Sequence, residues 1–256
     1  MTLPDLLNRR ARRFAQLFAG AALLLVAACA APQQTLEQGI NDPYEAHNRA
    51  VHAQNLKLDQ ILVKPASNTY GHILPEPVRN GVANFAGNVN LPGVVVNDLL
   101  QLKIGDALSN SSRFLFNTTL GIGGVLDPAD AMGLYEKPND FGKTLYVWGV
   151  PEGPYVELPL LGPATQRDMV GKVVDLFTNP LTYKLPTPER YIGTVANVAV
   201  KLGDRYRYSN TVDSILYDSS DSYAQARLLY LQHRRFQLSG GKSDESTDVF
   251  DELYGQ

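Results

Sequence analysis

Cys29 carries the clearest chemistry in this 256-residue chain. It is the only cysteine, so no intramolecular disulfide, Cys-based metal site or CxxC redox pair can form. Val26, Ala27 and Ala28 put small side chains immediately before it, the pattern a signal peptidase needs to cut ahead of a cysteine. Upstream stand Arg9, Arg10, Arg12 and Arg13, then an apolar stretch over 14–28. At about 15 residues that stretch is shorter than the ~20 a membrane span requires. A positive start, a short apolar run and a small-residue cleavage site mark an export signal. The cysteine makes the product a lipoprotein, acylated on Cys29. Acylation also removes the odd thiol of an exported one-cysteine chain. Ala30 follows, not the Asp that retains many lipoproteins at the inner membrane, which favours the outer one.

The histidines offer less. His47, His52, His72 and His233 include no pair at the four-residue spacing of an H-E-x-x-H zinc site. Each is expected to be a satisfied or surface side chain. There is no G-x-S-x-G elbow, no S-x-x-K and no P-loop. The run Gly121-Ile122-Gly123-Gly124 lacks dinucleotide-fingerprint spacing and reads as a helix end and chain reversal. Asp127, before Pro128, and Asp130 read as turn and cap residues. Motif by motif, no enzyme, metal site or cofactor is expected.

Charge narrows the partners. Removing the signal takes four Arg and Asp5, moving the net charge from −3 to −6 over the remaining 228 residues. The stretch 240–256 holds Lys242 against Asp244, Glu245, Asp248, Asp251 and Glu252. The rest is then nearly neutral, with no electrostatic case for nucleic acid and no polybasic patch for anionic headgroups.

The elements that would position these residues are mainly helical. After a linker over 29–41, Asp42-Pro43-Tyr44-Glu45 predicts a capped helix start. Helical spacing runs through Tyr44, His47, Val51, Gln54, Leu58 and Ile61. Helices are predicted over 77–89, 91–102, 106–120, 167–177, 189–217 and 222–238. The helix over 91–102 is apolar nearly all round, which places it in a core or against lipid. Residues 125–165 are rich in Gly and Pro and predict an ordered irregular segment with a short strand at 155–158. The tail 239–256 reads as disordered.

Longer patterns carry a resemblance. The run from Arg113 through Asn117 and Gly121 to Asp127-Pro128 resembles the central signature of the MlaA/VacJ lipoprotein family. So do Phe141 to Pro159, Gly162-Pro163 and Arg167-Asp168, the opening Asp42-Pro43-Tyr44-Glu45 with Asn48-Arg49, and the closing element from Asp221 to Arg235. The resemblance covers about residues 40–238, and the domain it implies spans 42–238. Family members carry aromatics shortly after the Asn-Arg pair, where this chain has His52-Ala53-Gln54.

The resemblance implies a mainly α, ring-shaped helical lipoprotein with an irregular Gly/Pro-rich hairpin and a central amphipathic pore. It implies an outer-membrane protein in the periplasmic leaflet that removes mislocalised phospholipid from the outer leaflet. The partners it implies are a trimeric porin, a periplasmic lipid carrier and an inner-membrane MCE-type transport complex. Arg49, Leu126, Met132, Leu134 and Phe141 become the candidate pore residues, with His47 and Gln54 beside Arg49. The segment 125–142 becomes the pore hairpin. A structural porin-associated lipoprotein is the main alternative, and a hydrolase of lipid or peptidoglycan the remaining one.

Overall fold

The computed structural model describes residues 39–240. Cys29, the signal over 1–28 and the tail beyond 240 lie outside the described residues, as does most of the linker. A long helical run opens the fold: α1 (Glu45–Leu58), a π turn (Asp59–Val63) and α2 (Lys64–Ile73). It extends well past the predicted end near Ile61. The chain then forms α3 (Glu76–Leu100), α4 (Ile104–Thr119), the short α5 (Pro128–Ala131) and α6 (Phe141–Val147). Strands β1 (Tyr155–Leu158) and β2 (Gly162–Thr165) pair antiparallel, Tyr155 opposite Thr165 and Leu158 opposite Gly162. Next come α7 (Gln166–Thr178), the short α8 (Leu181–Lys184), α9 (Ile192–Arg207), α10 (Ser209–Asp213), a second π turn (Ser214–Asp218) and α11 (Ser222–Leu238).

Several predicted boundaries move for identifiable reasons. The expected break near residue 90 is absent, and α3 is one helix of 25 residues with Pro92 inside it. Proline removes one helical N–H bond. Nearby, the Asn179 amide donates to the Val89 carbonyl at 2.9 Å. The predicted helix 189–217 is interrupted at Tyr208, whose backbone leaves helical geometry. Asp42 caps nothing. The residue ahead of α1 is Tyr44, which makes no side-chain cap. Asp42 instead accepts from Asn48, Tyr223 and Arg227, because a carboxylate shielded from water needs a cation and donors more than a helix start needs a cap.

Other starts follow the local chemistry. Asp127, Asp140, Thr165 and Asp221 each accept from the backbone N–H three residues on, opening α5, α6, α7 and α11. The reversal after α4 needs left-handed backbone at Ile122, Gly123 and Gly124. A Cβ on Gly124 would lie 2.5 Å from the Asn88 amide, so glycine is required there for space as well as for φ.

Packing is inverted relative to an ordinary soluble domain. Among the described residues, buried polar and charged side chains outnumber buried apolar ones. Asn48, Asn97, Asp98, Asn110, Thr144 and Asp168 lie inside, while Ile61, Leu102, Ile122, Leu160, Leu176 and Val195 lie outside. Among the described residues no helix is long and apolar enough to cross a membrane.

Candidate functional site

α3 and α4 pack along much of their lengths with amides and carboxylates at their interface. Asp98 accepts from Asn110 at 2.7 Å and from Asn139 at 2.6 Å. Gln101 donates to Asn139 and Thr144, and Thr144 donates to Asn97. Asn97 in turn donates to Asp175 at 3.0 Å. Each polar atom withdrawn from water needs a partner, so this chain of bonds sets the register of α3, α4, α6 and α7.

The loop between α4 and α6 is fastened to one stripe of α4. Asn110, Arg113 and Asn117 recur at the spacing of one helical face. Asn110 donates to the Lys137 carbonyl and Arg113 to the Leu134 carbonyl. Arg113 also reaches Asp127 at 2.6 Å, and Asn117 donates to Asp127 while accepting from the Ala129 N–H. Burial pushes the Asp127 carboxyl up, but bonds from Asn117, the Asp130 N–H and Arg113 outweigh it and hold it below the usual range. The loop therefore has a tied polar underside. Its other face presents Leu120, Ile122, Val125, Leu126, Met132 and Tyr135 outward. An apolar face on a loop held by buried hydrogen bonds suits contact with acyl chains better than with water.

A second fastening lies where α6 crosses α7. A Cβ on Gly171 would come 2.4 Å from the Gly142 N, so two glycines allow backbone-to-backbone contact. Arg234 of α11 joins this crossing to the C-terminal helix, reaching Asp140 and Asp168 at 2.7 Å each. Tyr230 donates to Asp168 at 2.6 Å. Burial raises the Asp140 carboxyl, yet the Arg234 guanidinium overcomes that and lowers it. Burial lowers the ammonium groups of Lys143 and Lys172 beside the same crossing, with Lys103 adding to the effect at Lys143. Burial raises Asp175, which faces no cation among its hydrogen-bond partners.

The predicted site residues divide. Leu126 and Met132 are about half exposed, at 52% and 54%, on the outer face of the loop. Leu134 and Phe141 are intermediate; the Phe141 ring packs edge-on against Trp148, and its N–H donates to Asp175. Arg49 is not brought to this loop. It pairs with Glu45 at 2.7 Å and Asp221 at 2.8 Å and lies over the Tyr223 ring, which ties α1 to α11. His47 and Gln54 are exposed, whereas His52 is buried and satisfied by Glu157 and Ser222. The fastening roles that sequence reasoning missed are those of Asp98, Asn110, Arg113 and Arg234. An Asn-Arg-Asn stripe along α4 was the available signal, and only the position of the loop gives it meaning.

A family model described as MlaA lipoprotein matches residues 40–237. The chain belongs to the MlaA lipoprotein family. Relatives agree along most of its length. The intermembrane phospholipid transport system lipoprotein MlaA of Escherichia coli (strain K12) is 34% identical over 225 residues, covering 85% of this chain and 86% of that one. An uncharacterized protein of Rickettsia felis is 38% identical over 189 residues, covering 73% and 74%. A solved structure from work on the structural basis for maintenance of bacterial outer membrane lipid asymmetry superposes with a TM-score of 0.65 at 32% identity. It covers 77% of this chain and 98% of that one. Family membership accounts for the helical fold.

Proposed function

We propose that this chain is an outer-membrane lipoprotein that withdraws mislocalised phospholipid from the outer leaflet and passes it to a periplasmic carrier, preserving lipid asymmetry. The observation that carries this reading is the inversion of polarity. Hydrogen-bonded amides and ion pairs hold the described helices together from within, while Leu, Ile, Val and Trp side chains face outward. A surface carrying so many exposed large apolar side chains suits contact with acyl chains.

In this reading residues 1–28 are removed, Cys29 carries the acyl chains, 29–41 links it to the fold and 42–238 is the working domain. The domain sits in the periplasmic leaflet beside a trimeric porin. Phospholipid moves past Leu126, Met132, Leu134 and Phe141 toward the carrier and an MCE-type inner-membrane complex. The chain is a conduit, with net direction set by its energised partners. Deletion tests the reading. The strain should accumulate outer-leaflet phospholipid and become sensitive to detergent with chelator, and the cloned gene should reverse both. Normal asymmetry in the deletion overturns it.

A further inference from the structure

Three segments far apart in the chain converge at one histidine. His52 on α1 is buried, its side chain 7% exposed. Its Nδ1 lies 3.2 Å from Oε1 of Glu157 on β1, and its Nε2 lies 3.1 Å from the Ser222 hydroxyl at the start of α11. The Glu157 carboxylate is itself held, accepting from Asn55 and from the Tyr155 hydroxyl. The imidazole packs edge-on against Tyr223, with ring centres 5.7 Å apart. A carboxylate only accepts, so Nδ1 carries the proton toward Glu157 and Nε2 is left to accept from Ser222. This is the order of nucleophile, base and orienting acid that acyl transfer uses.

Two further features surround it. His52 and Ser222 both line an open cleft of about 380 Å³, with Arg49, Ala53, Leu56 and Tyr223 among its other walls. Ser222 is also the first residue of α11, a 17-residue helix capped by Asp221. The Asp221 side chain takes the Ala224 N–H. Helix geometry leaves the N–H groups of Ser222 and Tyr223 without intrahelical acceptors, and they can hold a developing oxyanion.

We propose that Ser222, His52 and Glu157 form a hydrolytic site for carboxylic esters, with lipid acyl esters as the substrate class. The Ser222 Oγ bonds to the ester carbonyl carbon while His52 Nε2 takes the hydroxyl proton. The carbonyl electron pair moves onto oxygen and is met by the N–H groups at the start of α11. Its return breaks the bond to the alkoxy oxygen, and His52 protonates the departing alcohol. Water repeats the sequence on the acyl-serine, releasing the carboxylic acid and restoring the serine. Ester and water give acid and alcohol, with no other reactant. Glu157 is a positioning residue that holds the tautomer and the imidazolium. The choice of a lipid ester rests on the transport reading; ester hydrolysis does not.

The test uses the full-length protein extracted in detergent. A fluorophosphonate probe should label it on Ser222, located by peptide mass spectrometry, and it should hydrolyse p-nitrophenyl butyrate. Ser222→Ala and His52→Asn should each reduce both signals by roughly 100-fold or more. Glu157→Gln should lower kcat with KM little changed. Phosphatidylglycerol vesicles should yield lyso-lipid and free acid. Wild-type protein that labels and hydrolyses no better than Ser222→Ala overturns the proposal, and so does hydrolysis unchanged in His52→Asn. Absence of lyso-lipid overturns the lipid assignment. Thermal melting of Ser222→Ala, which loses one side-chain bond, separates chemistry from misfolding. Restoration of detergent resistance by an unlabelled wild-type chain would leave transport standing and this proposal fallen.

Discussion

The hydroxyl of Tyr217 donates to Asp59 at 2.5 Å, and each residue lies in its own π turn. Arg205 completes the joint, reaching Asp59 at 2.8 Å and Asp213 at 2.6 Å. One buried carboxylate thus ties the irregular turn after α1 to the irregular turn before α11. Wide turns of this kind are locally unfavourable and persist where side chains hold them.

That joint predicts an alkaline limb. Burial and the Asp59 bond push the Tyr217 phenol up to about 12. The folded state therefore favours the neutral phenol. Its contribution is fully present below the ordinary value near 10 and is lost as pH rises from about 10 to about 12. Melting curves across that window should fall more steeply for the wild type than for Tyr217→Phe.

The Arg113–Asp127 pair predicts a pinned loop. Arg113→Met removes the guanidinium and strands a partly shielded carboxylate. Stability should fall by about 3 kcal/mol, in the range for breaking a buried pair. Limited proteolysis should cut within 120–140 in the variant well before it cuts the wild type.

The glycine crossing predicts intolerance to a single methyl group. Gly171→Ala would drive a Cβ into the backbone of α6. A loss of about 2–3 kcal/mol is expected from overpacking, read by denaturant unfolding in detergent. Gly87→Ala is the control, because a Cβ there meets open space.

Arg49 predicts an acid limb. The Arg49 guanidinium lowers the Asp221 carboxyl to about 2. This contribution is present above the ordinary value near 4 and is lost as pH falls toward 2. Both side chains are substantially exposed, at 41% and 42%, so the effect should be small and screened by salt. Arg49→Met should flatten the melting profile between about pH 4 and 2.

The exposed face of the loop predicts a functional lesion without a folding one. Leu126→Asp with Met132→Asp should leave melting in detergent nearly unchanged, since both side chains are about half exposed. The variant should fail to restore detergent resistance to a deletion strain. Full restoration would remove these residues from the lipid path.

Much of the helical layout was legible locally. Helical periodicity located α4, α7 and α11 to within a few residues, because their apolar and polar positions repeat at helical spacing. The strand over 155–158 and the reversal at 121–124 were also readable from turn chemistry. Continuity through Pro92 was not, since a proline removes a helical N–H bond and reads locally as a break, yet the 25-residue helix runs through it. Asp42 read as a cap because capping is a local pattern, and its real partners, Tyr223 and Arg227, lie 181 and 185 residues away.

The sequence by itself determined the chemistry available. It supplied one cysteine behind a cleavage pattern, near-neutral charge, no linear catalytic motif, and enough amides and apolar residues for either core or surface. Tertiary structure alone decided which of those went inside. Hydrophobic periodicity shows that a helix has two faces without showing which solvent each face meets. Here the polar face turns inward, because Asp98, Arg113 and Asp59 find partners only across the packed elements. The apolar face is left outside, and that is the physical basis for a chain that works in lipid.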